Sequence, residues 1–104
     1  MKSGDRGVRL SVAITGASIR AARGDVARSL KDLEEIVREA HNAKLIQFEL
    51  EARLALAEVE IATGRVQVGR RHLDVLETEA SKRGYKFIAD RAAAARKKIP
   101  GSTA

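Results

Sequence analysis

The feature that most constrains this chain is an internal offset of 40 residues. Around Gly24 the sequence reads Ala21-Ala22-Arg23-Gly24-Asp25-Val26, and around Gly64 it reads Ile61-Ala62-Thr63-Gly64-Arg65-Val66. Past the glycine the match continues. Val26 falls on Val66, Ser29 on Gly69, Leu33 on Leu73, Ile36 on Leu76 and Ala40 on Ala80. Leu45 then meets Tyr85, Phe48 meets Ile88 and Ala52 meets Ala92. Apolar positions meet apolar ones and small positions meet small ones. Self-similarity at such a period marks a chain built by stacking copies of one supersecondary unit.

That unit is a pair of helices. Val26, Leu30, Leu33, Ile36, Val37 and Ala40 recur at the three-and-four spacing of one helical face, and Val66, Gly69, Leu73, Leu76 and Ala80 repeat it. The pattern predicts helices over about 8–23, 25–42, 45–63, 65–83 and 85–98, joined by short turns that make neighbours antiparallel. Residues 1–7 read as a flexible lead and 99–104 as a frayed tail. Gly24, Gly64 and Gly84 stand where helices stop, because a left-handed residue is least strained without a Cβ. The segment from Leu45 to Ile61 is apolar over more than one face, as a helix covered from two sides would be. Glu34–Arg38, Glu49–Arg53 and Glu79–Arg83 have the favourable order for ion pairs one turn apart.

With only one Tyr and two Phe in 104 residues, the core must be aliphatic and alanine-rich. No cysteine is present, which excludes disulfides and thiolate metal sites and suits a reducing cytoplasm. No run of apolar residues is long enough to span a bilayer. The net charge of +6 is uneven: residues 1–64 balance 10 Lys/Arg against 10 Asp/Glu, while 65–104 carry 10 against 4. All of the excess therefore lies in the C-terminal part.

Ala52, Leu56, Ala57, Ile61, Gly64, Val66, Gly69, Leu73 and Leu76 together resemble the tetratricopeptide signature of small residues between paired helices and large ones seated beside them. Ala17, Ala21, Gly24, Asp25, Val26, Ser29, Leu33 and Ile36 match it less fully. Arg53 stands where the family's early Trp would be, and the spacing of 40 exceeds the usual ~34. The resemblance covers about residues 10–98 and is to an elongated variant, as in bacterial regulatory proteins beside kinase, cyclase or DNA-binding domains. It implies an all-α, right-handed solenoid fragment of two and a half hairpins. It also implies a protein-interaction or scaffolding module within a larger regulatory protein, with a protein or peptide as partner. The groove-facing positions it implies are Ser11, Ile14, Ser18 and Ala21 on the first helix. On the third they are Glu51, Leu54, Glu58 and Ile61, and on the fifth Arg91, Ala94 and Lys98. Glu51 is expected to face Arg91, and Glu58 to face Lys98.

Three further readings come from the residues themselves. From Ser11 to Ile19 there is no charge, which suits a covered helix; Val12, Ile14 and Ile19 are its candidate interface, with a missing repeat, a second copy or another protein as cover. The basic set Arg65, Arg70, Arg71, Lys82, Arg83, Lys86, Arg91, Arg96, Lys97 and Lys98 offers an alternative, binding of nucleic acid or an acidic partner. No aromatic platform is interleaved with it. Catalytic, cofactor and metal motifs are missing. His41 and His72 are the only histidines, neither has a Glu three residues before it, and both read as helix-end or surface residues. Asp32, Glu34, Glu35 and Glu39 read as a solvated acidic face.

Overall fold

Four turns of one geometry set the architecture. In the computed structural model, which describes residues 3–99, they separate α1 (Ser3–Ala22), α2 (Val26–Asn42), α3 (Ile46–Ala62), α4 (Val66–Lys82) and α5 (Lys86–Lys97). At the first turn the Gly24 amide donates to the Ala21 carbonyl and the Asp25 amide to the Arg20 carbonyl. The same two bonds recur at Lys44 and Leu45, at Gly64 and Arg65, and at Gly84 and Tyr85. They satisfy carbonyls that the helix end would otherwise leave open, and they need one residue in the left-handed region. Gly24, Gly64 and Gly84 take it with φ of 99°, 100° and 86°. Lys44 takes it with φ of 61°, although it carries a Cβ.

Each helix packs on the next, and α1 also lies on α3, and α3 on α5; no Cα of α2 comes within 8 Å of one in α4. The odd helices therefore form one layer and the even helices a second. The resulting slab measures 47 × 34 × 17 Å. The core has two halves. Leu10, Ala17, Leu30, Leu33, Ile36 and Ala40 meet Ala52, Ala55 and Val59 of α3 in one. Leu50, Leu54 and Ala57 of α3 meet Leu73, Leu76, Ala80, Ile88, Ala89 and Ala92 in the other. As its composition requires, α3 is covered from two sides.

Within each hairpin, small residues let the backbones close up, but the two hairpins do it differently. Ser29 is fully buried and its Oγ donates to the Ala17 carbonyl at 2.6 Å. Forty residues on, Gly69 occupies the place of Ser29, Ala57 that of Ala17, and Ile61 that of Ala21. A Cβ at position 69 would lie 2.5 Å from Ile61 Cγ1 and 3.0 Å from the Ala57 oxygen. The volume given up at 69 is thus filled by Ile61.

Two boundaries differ from the sequence expectation. The first helix starts at Ser3 rather than near Val8, so residues 3–7 are not a flexible lead; Met1 and Lys2 lie outside the described residues. The cause is tertiary: Gly7 is buried beneath the Phe48 ring, whose Cζ would stand 2.9 Å from a Cβ there. At the other end Ile99, assigned to the frayed tail, is 3% exposed and belongs to the core shared with α3 and α4. Residues 100–104 lie outside the described residues.

Lys44→Gly is expected to raise stability by about 0.5–1 kcal/mol, since left-handed strain of roughly 1–2 kcal/mol outweighs glycine's unfolded-state entropy of about 0.4–1 kcal/mol. Urea denaturation measures this directly, and no gain would mean that the lysine side chain contributes what the strain takes away. Gly69→Ser is expected to cost about 1–3 kcal/mol through overpacking against Ile61. Adding Ile61→Ala reproduces the first hairpin's arrangement, so the double variant should be about 1–2 kcal/mol more stable than the two single losses added together.

Candidate interaction surface

The odd-helix layer carries a trough made by small residues. Between α1 and α3 a depression of about 380 Å³ is lined by Ser18, Ala21, Ala22, Ala55, Glu58, Val59, Ala62 and Thr63. Between α3 and α5 a second, of about 440 Å³, is lined by Glu58, Ile61, Ala62, Arg91, Ala94, Ala95 and Lys98. They share Glu58 and Ala62, so they adjoin across α3. Alanines at 22, 55, 62 and 95 keep the floor low, and Glu58, Arg91 and Lys98 stand along it, exposed.

This places the expected groove residues in two groups. Ser18, Ala21, Glu58, Ile61, Arg91, Ala94 and Lys98 do line the trough. Leu54 does not: it is 1% exposed and sealed in the core with α4 and α5. Ile14 lines neither depression and is half-buried against the core of α1, α2 and α3. Ser11 and Glu51 are half-buried outside both depressions, and Glu51 accepts a hydrogen bond from Gln47 Nε2 at 3.1 Å. The expected pairs Glu51–Arg91 and Glu58–Lys98 are not formed. Arg91 instead lies over the Phe87 ring, 5.6 Å from its centre, a cation–π contact one turn back on its own helix. Glu58 and Lys98 face the same depression without closing on each other. The alanine floor escaped the sequence reading because alanine also marks buried helix contacts, and periodicity alone does not separate the two uses.

A second depression, unseen in the sequence, opens between α2 and α4. It measures about 450 Å³ and is lined by Glu34, Val37, Arg38, Glu49, Arg53, Leu56, Arg71, His72 and Val75. Three of its charged or polar groups are already committed to holding helices together. Arg53 donates to Glu79 at 2.8 Å, His72 Nδ1 to Glu60 at 2.7 Å, and His41 Nδ1 to Glu49 at 3.2 Å. Neither histidine caps a helix; each bonds a glutamate of α3. Glu34, Arg38 and Arg71 of this cleft, like Glu58, Arg91 and Lys98 of the trough, have no ion-pair partner among the described residues.

Most of the other ion pairs also bind helix to helix. Arg20 and Asp32 join α1 to α2 at 2.8 Å, and Arg9 pairs with Glu39. Half of the acidic face of α2 thus clamps α1 rather than facing solvent alone. Of the pairs expected one turn apart, Arg83–Glu79 forms at 3.3 Å, whereas Glu34–Arg38 and Glu49–Arg53 do not, because Arg53 reaches across to α4. Arg96 bonds Asp74 at 2.9 Å and Glu77 at 2.8 Å, and Lys86 bonds Asp90 at 3.0 Å. Arg83, Lys86 and Arg96 of the basic set are therefore neutralised internally. The Asp74 hydrogen bond is the main influence holding the Arg96 guanidinium above its ordinary range.

Among the described residues, no group of three or more His, Asp or Glu could hold a metal ion, and no helix is long and apolar enough to cross a membrane. In comparison with known proteins, the chain matches no family model, no curated protein and no solved structure.

The Arg53 hydrogen bond, opposed by burial and aided by the nearby Arg53 and Arg83 charges, holds the Glu79 carboxyl below the ordinary glutamate range. A carboxylate depressed in the folded state adds stability that is complete above its unfolded pKa, about 4.3, and is lost as pH falls through the lower folded value. The advantage of the native chain over Glu79→Gln should therefore hold from pH 7 to 5 and decline as pH falls below about 4.3; being partly exposed, it should stay under about 1 kcal/mol. Urea melts at pH 7, 5 and 3 measure it, and an advantage that grows toward pH 3 would contradict the assignment.

Proposed function

We propose that the chain is a non-catalytic protein-interaction module of tetratricopeptide-like kind, holding a peptide or protein segment in the trough across α1, α3 and α5. The observation that carries this reading is the trough itself: two adjoining alanine-lined depressions whose charges, Glu58, Arg91 and Lys98, have no ion-pair partner among the described residues. On the other faces, Arg20, Arg53, Glu60 and Arg96 are used to tie one helix to the next. Helices that recur at the same 40-residue offset as the sequence repeat also support it, since α4 and α5 begin 40 residues after α2 and α3. An extended segment with apolar side chains would rest on Ala62 and Ala94. A basic group would meet Glu58, and an acidic group Arg91 and Lys98.

The test is a selection. Peptides selected from a displayed random library on the immobilised domain should bind wild type and lose about tenfold or more with Ala94→Glu, which fills the channel, and with Glu58→Arg. Fluorescence anisotropy reads the affinities. Val75→Glu, in the opposite cleft, should leave them unchanged. Binders indifferent to both trough substitutions and abolished by Val75→Glu would move the site to the cleft between α2 and α4.

A further inference from the structure

The first helix carries an apolar stripe that the other odd helices bury. Val8, Val12, Thr15 and Ile19 lie on one side of α1, and all four are exposed, Val8 and Val12 at 66% and Ile19 at 47%. Forty residues on, the corresponding residues of α3 are Phe48, Ala52, Ala55 and Val59, all packed into the core shared with α1 and α2. Forty further, on α5, they are Ile88, Ala92, Ala95 and Ile99, all packed into the core shared with α3 and α4. This stripe is thus the docking face of each odd helix. It is buried against helices twice, and on α1 no described residue covers it.

Three properties of the stripe point to what covers it. Its spacing of four, three and four residues is the a/d seam of a coiled coil. It is symmetric about the point between Ala13 and Ile14, so an antiparallel copy would set Val8 against Ile19 and Val12 against Thr15, a larger residue against a smaller or equal one in each layer. Its flanks are short and neutral: Ser11, Gly16 and Ser18 border it. No charge falls between Leu10 and Ile19, so a chain of net charge +6 can meet its own copy here without like-charge repulsion. Arg9, which lies within the span of the stripe beside Val8, pairs with Glu39, and Arg20, just past its other end, pairs with Asp32. The opposite end of the slab matches it less well, since the exposed residues of α5 include Asp90 and Lys97 beside Phe87. A head-to-tail contact would bury these charges without partners.

We infer that two copies of the chain associate head to head through α1, with the Val8, Val12, Thr15 and Ile19 stripes packed antiparallel around a two-fold axis. The interface is a single helix pair, well below the ~1,600 Å² of a standard interface, so the dimer is weak and concentration-dependent. The stripe lies off the trough, and the inference stands independently of what the trough binds.

Sedimentation equilibrium at concentrations up to about 1 mM tests it. The wild type should pass from monomer to dimer, and Val12→Glu should raise the dissociation constant at least about tenfold. Helical content and Tm of the monomer should be unchanged, because Val12 is exposed. Phe87→Glu, at the other end of the slab, should leave the dissociation constant unchanged. A strict monomer throughout, or a dimer indifferent to Val12→Glu and lost with Phe87→Glu, would overturn the inference. Orientation is read separately, since the chain has no cysteine of its own. On mild oxidation, an equimolar mixture of Val12→Cys and Thr15→Cys chains should form the mixed disulfide in preference to either symmetric one. A dominant symmetric product from the Val12→Cys chain would overturn the antiparallel arrangement.

Discussion

Everything in this structure depends on α3 being dry on two sides at once. Leu50, Leu54 and Ala57 face α4 and α5, while Ala52, Ala55 and Val59 face α1 and α2. Each large aliphatic side chain so buried contributes about 1.5–3 kcal/mol, and those on α3 are shared between halves that have no other broad contact. The backbones of α2 and α4 do not come within 8 Å of each other, so the close packing between the hairpins runs through α3. The near absence of aromatic residues follows from the same constraint. Helices that approach through alanine, serine and glycine leave little room for rings between them, and Phe48 fits because it rests on Gly7.

The two hairpins keep one geometry with different side chains. Ala21 with Ser29 and Ile61 with Gly69 are two ways of filling the same space between paired helices. The polar contacts near the turns behave likewise. Arg20 pairs with Asp32, and at the same register one repeat later Glu60 bonds His72. The sign of the first-helix residue is reversed, yet the contact across the hairpin persists. Glu60 is almost fully buried, and a carboxyl group placed there requires a donor within reach. His72, on the facing helix, supplies it. Both members of the pair differ between the two hairpins, and the contact is kept.

Much of the fold is legible in the sequence because glycines and apolar spacing report the same offset. Helix ends at Gly24, Gly64 and Gly84 could be placed within a residue or two, and the two-sided burial of α3 follows from its composition. The turn at Lys44 was bracketed only by the fading of one apolar stripe and the start of the next, since no glycine marks it. Here the tertiary frame imposes a left-handed residue that local preference does not ask for. The start of α1 was lost for a related reason: Gly4 and Gly7 weaken local helix propensity, and the contact with Phe48 that fixes this turn comes from a residue far along the chain. Ion pairing was the least legible part. Spacing along one helix predicts Glu49–Arg53, whereas Arg53 finds Glu79 on the neighbouring helix. Of the groove positions, Leu54 and Ile14 were misplaced because a helix such as α1 or α3 has three kinds of face. One packs on its hairpin partner, one on the next hairpin and one on solvent, and a single apolar residue fits any of them.

The trough and the exposed stripe have a common origin in how the layers are spaced. Alanines on the odd helices bring α1, α3 and α5 into contact, while the even helices stand apart with Leu56 and Arg53 of α3 beneath the gap. The alanine floor lies on this odd-helix side. Small side chains therefore do two things: they draw the layer together, and they leave a channel where a neighbouring chain's backbone can approach. The first helix takes part in the channel through Ser18 and Ala21 on one side. On another side it presents Val8, Val12 and Ile19, the face by which α3 and α5 dock on their predecessors. A helix with two such faces and no charge from Leu10 to Ile19 is built as an inner member of a stack, and the head-to-head pair is the arrangement in which this chain alone can give it that environment.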